Sequence, residues 1–259
     1  MEKKIIGGLG LLILSSLVSA ETNDDWKLLV SPYMWGASLK GDLAIAGQRP
    51  SVNVPFSELA NDASSVFMGN IELTNSRYGF YLDAVSVDTD SSDRVYGQKI
   101  SYKIDQTTIA AGGFYRAISH ELGGNTLFGE PRRLTVDPSI GARWTKLKAE
   151  VKTKSFGIHM AKKAEWTDPF IGLRLTADLT NQWNLLATTQ ISGFESNNKK
   201  TQAHELYLGY RTYLFSQPTI LRVGYRSLNQ RYTSKDFTGH QFKYDIRQAG
   251  PLVGLTMRF

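Results

Sequence analysis

Residues 248–259 read QAGPLVGLTMRF, and the facing of this stretch decides how the rest of the chain is understood. Pro251, Val253, Leu255, Met257 and Phe259 fall on one side of an extended segment; Gly250, Leu252, Gly254, Thr256 and Arg258 fall on the other. Successive side chains of a strand point to opposite faces, so this is a strand with one greasy face and one face of glycine and polar groups. It suits either the edge of a soluble sheet or a wall whose outer side meets lipid.

The whole chain has 259 residues, is 41% hydrophobic and carries 12 Tyr and 12 Phe, ample for one large unit. Lys3 and Lys4, an apolar run over 5–18 and Val-Ser-Ala at 18–20 have the form of a secretory signal peptide over 1–20, which leaves 21–259 as the exported domain. Cysteine is absent, so there is neither a disulfide nor a thiol for a lipid anchor. Beyond residue 20 no apolar run approaches the roughly 18 residues of a spanning helix, and membrane residence therefore requires a closed barrel.

Residues 26–35 (WKLLVSPYMW) form a strand by content, although both faces are apolar and the facing stays open. Residues 39–65 are the longest excursion, with a short hairpin arm at 51–56 and a helical turn at 57–62 capped by Ser57. Strands follow at 66–74 and 78–88, joined by a tight turn at 75–77. A loop at 89–93 leads to a long strand at 100–116, and the connection over 117–133, too long for a simple hairpin, has the length to fold over a barrel mouth. Later, Asp137-Pro-Ser-Ile-Gly-Ala-Arg143 returns as Asp168-Pro-Phe-Ile-Gly-Leu-Arg174, and Gly209/Arg211 and Gly224/Arg226 keep the glycine–arginine spacing. The count is about ten strands (eight to twelve) of roughly nine to fifteen residues, where soluble strands run nearer five or six.

The signal peptide, the long alternating strands, the short turns at 75–77, 180–182 and 215–218, and the aromatic end of the last strand together resemble small Gram-negative outer-membrane barrels, including the outer membrane protein A and W types. PYMW at 32–35, FSELAND at 56–62 and RYGFYLD at 77–83 look like a proteobacterial branch of that group. The resemblance implies an all-β, transmembrane, antiparallel up-and-down barrel with one short helix in a long loop, located in the outer membrane with both termini in the periplasm. It also implies that Val253, Leu255, Met257 and Phe259 serve as the insertion signal read by the barrel-assembly machinery.

On such a barrel the face opposite the apolar one lines the lumen. That places Arg143, Arg174, Arg211, Arg226 and Arg258 inside, together with the acids Glu72, Asp83, Asp137, Asp168, Asp178 and Glu205. Neither sign alone is cheaply buried, so the mixture reads as ion pairs that plug the lumen, with glycines beside the arginines giving them room. The alternative is a narrow anion-preferring channel.

Lys146, Lys148, Lys152, Lys154, Lys162 and Lys163, around one hairpin tip, and then Lys199 and Lys200, form a basic cluster in expected external loops, with lipopolysaccharide phosphates as the partner it suits. The net charge of +6 fits that, and nucleic acid is no partner for an exported barrel. Chemistry is thinly represented: the four histidines lack metal-binding spacing, no catalytic motif or cofactor loop is present, and we expect no enzyme. His204, with Ser192 and Ser196 on the preceding strand, is the one arrangement that suits a lipid hydrolase, although Glu205 faces away from it.

Overall fold

The structure, a computed structural model, describes residues 25–44, 51–95, 98–153, 158–194, 198–235 and 241–259. The expected signal peptide lies outside them. The elements in order are β1 (Lys27–Trp35), β2 (Ser38–Ala44), β3 (Ser51–Val54), α1 (Phe56–Asp62), β4 (Ala63–Thr74), β5 (Tyr78–Val95), β6 (Gln98–Tyr115), β7 (Ile118–Asn125), β8 (Pro131–Thr153), β9 (Ile158–Asp178), β10 (Trp183–Ser192), β11 (Lys199–Leu214), β12 (Gln217–Lys235) and β13 (Gln241–Arg258). Ten of these form an antiparallel wall in the order β1-β4-β5-β6-β8-β9-β10-β11-β12-β13, and β13 pairs back onto β1. The sheet closes on itself as an up-and-down barrel with the expected strand number.

Alternation along each strand builds the two surfaces, and register lines them up. Leu73 faces Phe80 and Ile71 faces Leu82; Ile140 faces Ile171; Leu208 faces Val223, which faces Val253. All of these side chains are exposed, so the barrel wears a contiguous apolar belt. At the end that carries β1's start and β13's finish, exposed Trp26, Tyr78, Tyr115 and Trp183 rim the belt.

The turns at this terminal end are short. Asn75 Oδ1 accepts from the backbone N–H of Arg77 (2.8 Å) and Tyr78 (2.7 Å), which sets the β4–β5 turn. Phe215 (φ 50°) and Ser216 (φ 66°) make the β11–β12 turn, both in the left-handed region. As its length suggests, the connection after β6 folds over this mouth. β7 pairs with the start of β8, and residues 126–130 between them reach across: Leu127 N donates to Asn181 O (2.8 Å) and Tyr213 Oη donates to Leu127 O (3.3 Å).

The far end departs from expectation. Residues 89–93 are not a loop but part of β5, because Thr89 to Asp93 pair in unbroken register with Ile104 to Ile100 of β6. Helix α1 begins after Pro55 and has no side-chain cap, so Ser57 sits inside its first turn rather than capping it. β2 continues the line of β1 along β13, and β3 pairs with the other edge of β2. The facing of β1 is settled by Tyr33 and Trp35, which are buried inside, while Met34 is exposed outside.

Candidate functional site

The lumen holds three tiers. In the middle one, Arg226 on β12 is 2% exposed and meets acids from both sides. Its Nη2 donates to Asp83 Oδ1 on β5 across the lumen (2.9 Å), its Nε lies 3.1 Å from Glu205 Oε1 on the adjacent β11, and its Nη1 donates to Tyr33 Oη (2.7 Å). Tyr33 donates in turn to Asp83 Oδ2 (2.9 Å), and Tyr207 to Glu205 Oε2 (3.0 Å). The guanidinium also stacks over the Trp35 ring at 5.0 Å. A cation surrounded this way keeps its charge in a low-dielectric interior because every face has a partner.

Towards the terminal end a second bridge crosses the lumen: Arg174 Nη1 on β9 donates to Glu72 Oε2 on β4 (2.7 Å), while its Nε stands 3.9 Å from Asp137 Oδ2 on β8. Asp137, fully buried, also accepts from Arg116 Nε at 3.3 Å. Nearer the mouth Arg211 donates to Asp178, and Arg258 Nη2 donates to Glu130 Oε1 at 2.6 Å. Lys27 also donates to Glu130, so this residue of the folded-over connection clasps both the first and the last strand. Burial works to raise the Glu130 carboxyl, but the Arg258 and Lys27 hydrogen bonds prevail and hold it at about 2, below its ordinary 4.5.

The third tier, towards the far end, is aromatic and apolar. Trp166 stacks on Tyr232 (4.6 Å between centroids) and packs with Phe242, Tyr244, Ile246 and Leu147, all buried between strands on opposite sides of the barrel. Sequence reasoning missed this tier, although the parity that puts Asp168 and Arg174 inside also puts Trp166 and Phe170 there. It also missed Arg222, in phase with Arg226, and the tyrosines at 33, 81 and 207.

Two cavities stand out among the described residues. One of about 120 Å³ lies among Tyr81, Asp83, Arg143, Glu205 and Arg226. The other, of about 440 Å³, lies at the terminal end among Lys27, Glu130, Arg211 and Arg258, and shares Leu29, Glu72, Arg174 and Arg222 with the first.

Not every expected partner is found. Arg143 and Asp168 face each other in register but form no pair: Arg143 donates to Gln190, and Asp168 accepts from Trp166 and Thr201. The glycine at 141 makes room for the Phe170 ring, 2.5 Å from where a Cβ would stand, rather than for an arginine. The lysines are not in loops, because β8 and β9 run as paired strands through Lys146, Lys148, Lys152, Lys162 and Lys163, and Lys199 and Lys200 open β11. Lys154 lies outside the described residues. On the outer face of that hairpin Lys163 Nζ is 2.9 Å from Glu165, which also accepts from Trp144 Nε1 at 3.1 Å. Val253, Leu255, Met257 and Phe259 keep to the outward side of the barrel, with Val253 and Phe259 exposed. His204 is exposed and contacts Thr189 Oγ1 (2.9 Å), whereas Ser192 is buried against Thr201, so the wall separates them; Ser196 is outside the described residues.

No family model and no curated protein matches the chain. Among solved structures, the outer membrane protease OmpT from Escherichia coli shares 11% identity over 93% of this chain and 99% of its own, with a TM-score of 0.51. The attachment invasion locus protein Ail of Yersinia pestis, in complex with the heparin analogue sucrose octasulfate, is 10% identical over 92% of this chain and 100% of its own, with a TM-score of 0.39. The transport unit of the autotransporter AIDA-I from Escherichia coli is 9% identical over 96% and 93%, with a TM-score of 0.42. The fold is thus that of the outer-membrane β-barrels.

Proposed function

We propose that the chain is exported to the outer membrane and acts there as a barrel closed to through-passage, structural or surface-interacting in role. Residence in lipid is supported by the apolar belt, since soluble monomers rarely expose contiguous apolar patches beyond a few hundred Å². No helix among the described residues is long and apolar enough to cross a membrane; in this reading the strands do so. The terminal end then faces the periplasm and the far end the exterior. The finer placement with the outer membrane protein A and W types rests on the sequence pattern.

One observation carries the closed lumen: the Arg226 cluster and the Trp166 tier are stacked, each spanning from one side of the wall to the other. Lys146, Lys148 and Lys163 on the projecting β8–β9 hairpin are suited to lipopolysaccharide phosphates, and the outward Val253, Leu255, Met257 and Phe259 to the assembly machinery. Conductance of the purified protein in planar bilayers tests the closure. Silence is expected; steady unitary openings would overturn it and favour a narrow anion channel, the reading that the excess of basic over acidic residues around the terminal-end cavity supports.

A further inference from the structure

Arg222 projects inward from β12, two inward positions from Arg226 with Gly224 between them, and stands where the two cavities meet. Its neighbours along the terminal-end chamber all have acids: Arg174 has Glu72, Arg211 has Asp178, Arg258 has Glu130 and Arg116 has Asp137. Among the described residues Arg222 makes no ion pair and no side-chain hydrogen bond. Its guanidinium lies 6.0 Å from the Tyr207 ring, and its Nε is buried without an acceptor. The 440 Å³ chamber is lined by seven basic side chains and four acidic ones, and Arg174 Nε, Arg211 Nη1 and the hydroxyls of Thr135 and Thr176 are also buried there without hydrogen-bond partners.

From this we infer that the terminal-end chamber binds a small oxyanion, with Arg222 as the charge that holds it. An uncompensated cation in a barrel interior is costly, and the other arginines around this chamber each have a carboxylate, while Arg143, deeper in the lumen, has the Gln190 amide oxygen instead. Here the compensating group is a diffusible anion. A guanidinium presents a planar fork that matches a phosphate or carboxylate, and the two threonine hydroxyls add neutral donors. At about 30 Å³ per water, the chamber has room for such an anion together with several waters. The Trp166 tier lies beyond, so the anion enters and leaves past the 126–130 connection. This route, unlike the binding itself, rests on the closed-lumen reading.

The test uses the full chain folded in uncharged detergent. Urea midpoints are read against inorganic phosphate and, separately, acetate at constant ionic strength, with a sulfated polymer too large for the chamber as the outer-surface control. A ligand bound only by the folded state raises the midpoint along a saturating curve. Such a curve is expected with phosphate, acetate or both, and the stronger arm identifies the preferred oxyanion. Arg222→Met should weaken it by roughly tenfold or more, the scale of one charge-assisted hydrogen bond, with Arg222→Lys in between. Arg77→Gln, in the exposed β4–β5 turn, should leave the curve as in the wild type. The inference is overturned if the wild type shows no saturable rise with either anion, if the polymer gives the same rise, or if both Arg222 variants retain the wild-type curve. Bilayer conductance reports on the closed lumen independently, so the two ideas fail separately.

Discussion

Arg143 and Asp168 stand directly opposite each other on β8 and β9 and yet do not pair. Asp168 is drawn to Trp166 Nε1 (3.1 Å) and Thr201 Oγ1 (2.8 Å), and Arg143 to Gln190 and the Phe170 ring at 5.5 Å. Glu205 and Arg226, opposed in the same way on β11 and β12, do pair, at 3.1 Å. Opposition across a ladder therefore brings two charges near each other, and the donors around each one decide whether they meet.

The two arginines should respond differently to removal of charge. Arg226→Met strands Asp83 and Glu205 and should cost about 3–5 kcal/mol, whereas Arg143→Met strands no carboxylate and should be near neutral or stabilising. Urea midpoints in detergent measure both. Equal losses would show that the ion cluster has no special weight.

Stability should fall in acid because of Glu130. Its folded pKa, about 2, is below its ordinary 4.5, so its contribution is fully present above about pH 4.5 and lost as the pH falls towards 2. Across that window the wild type should lose midpoint faster than Glu130→Gln. Parallel curves would remove Glu130 from the account.

The β11–β12 turn places two L-residues at positive φ, and Phe215 is 89% exposed, so little packing is at stake. Replacing Phe215 and Ser216 with Asn and Gly should stabilise the protein by about 1–2 kcal/mol, since those residues adopt the left-handed region more readily. An unchanged or lower urea midpoint would contradict this.

Trp166 is the centre of the far-end closure. Trp166→Ala should destabilise by about 3–5 kcal/mol through the cavity it leaves. Combined with Tyr244→Ala, it should still leave the bilayer silent, because the Arg226 cluster remains below. Openings in the double variant would mean that the aromatic tier alone holds the lumen shut.

Much of the wall was legible in the sequence because alternation is a local signal: Leu221, Val223 and Tyr225 announce one face and Gly224 and Arg226 the other. The tight turn at 75–77 was equally local, since Asn75 bonds only its near neighbours. What escaped were features set by distant partners. The strand at 89–93 is polar on both faces (TDSSD) and is held by its pairing with β6 rather than by its own pattern. The partner of Arg174 is Glu72, 102 residues away, and no spacing rule reaches that far. The aromatic tier shares its parity with Asp168, but a lumen expected to be polar drew attention to the charges alone.

The Glu130 clasp has a meaning for assembly order. Its partners are 103 and 128 residues away, at the opposite ends of the strand sequence, and they become neighbours only when β13 has met β1. Before that the loop-closure entropy is unmet and Glu130 has nothing to hold. The contact therefore records the closing of the seam, and a probe at Glu130 would time the last event of folding rather than the first.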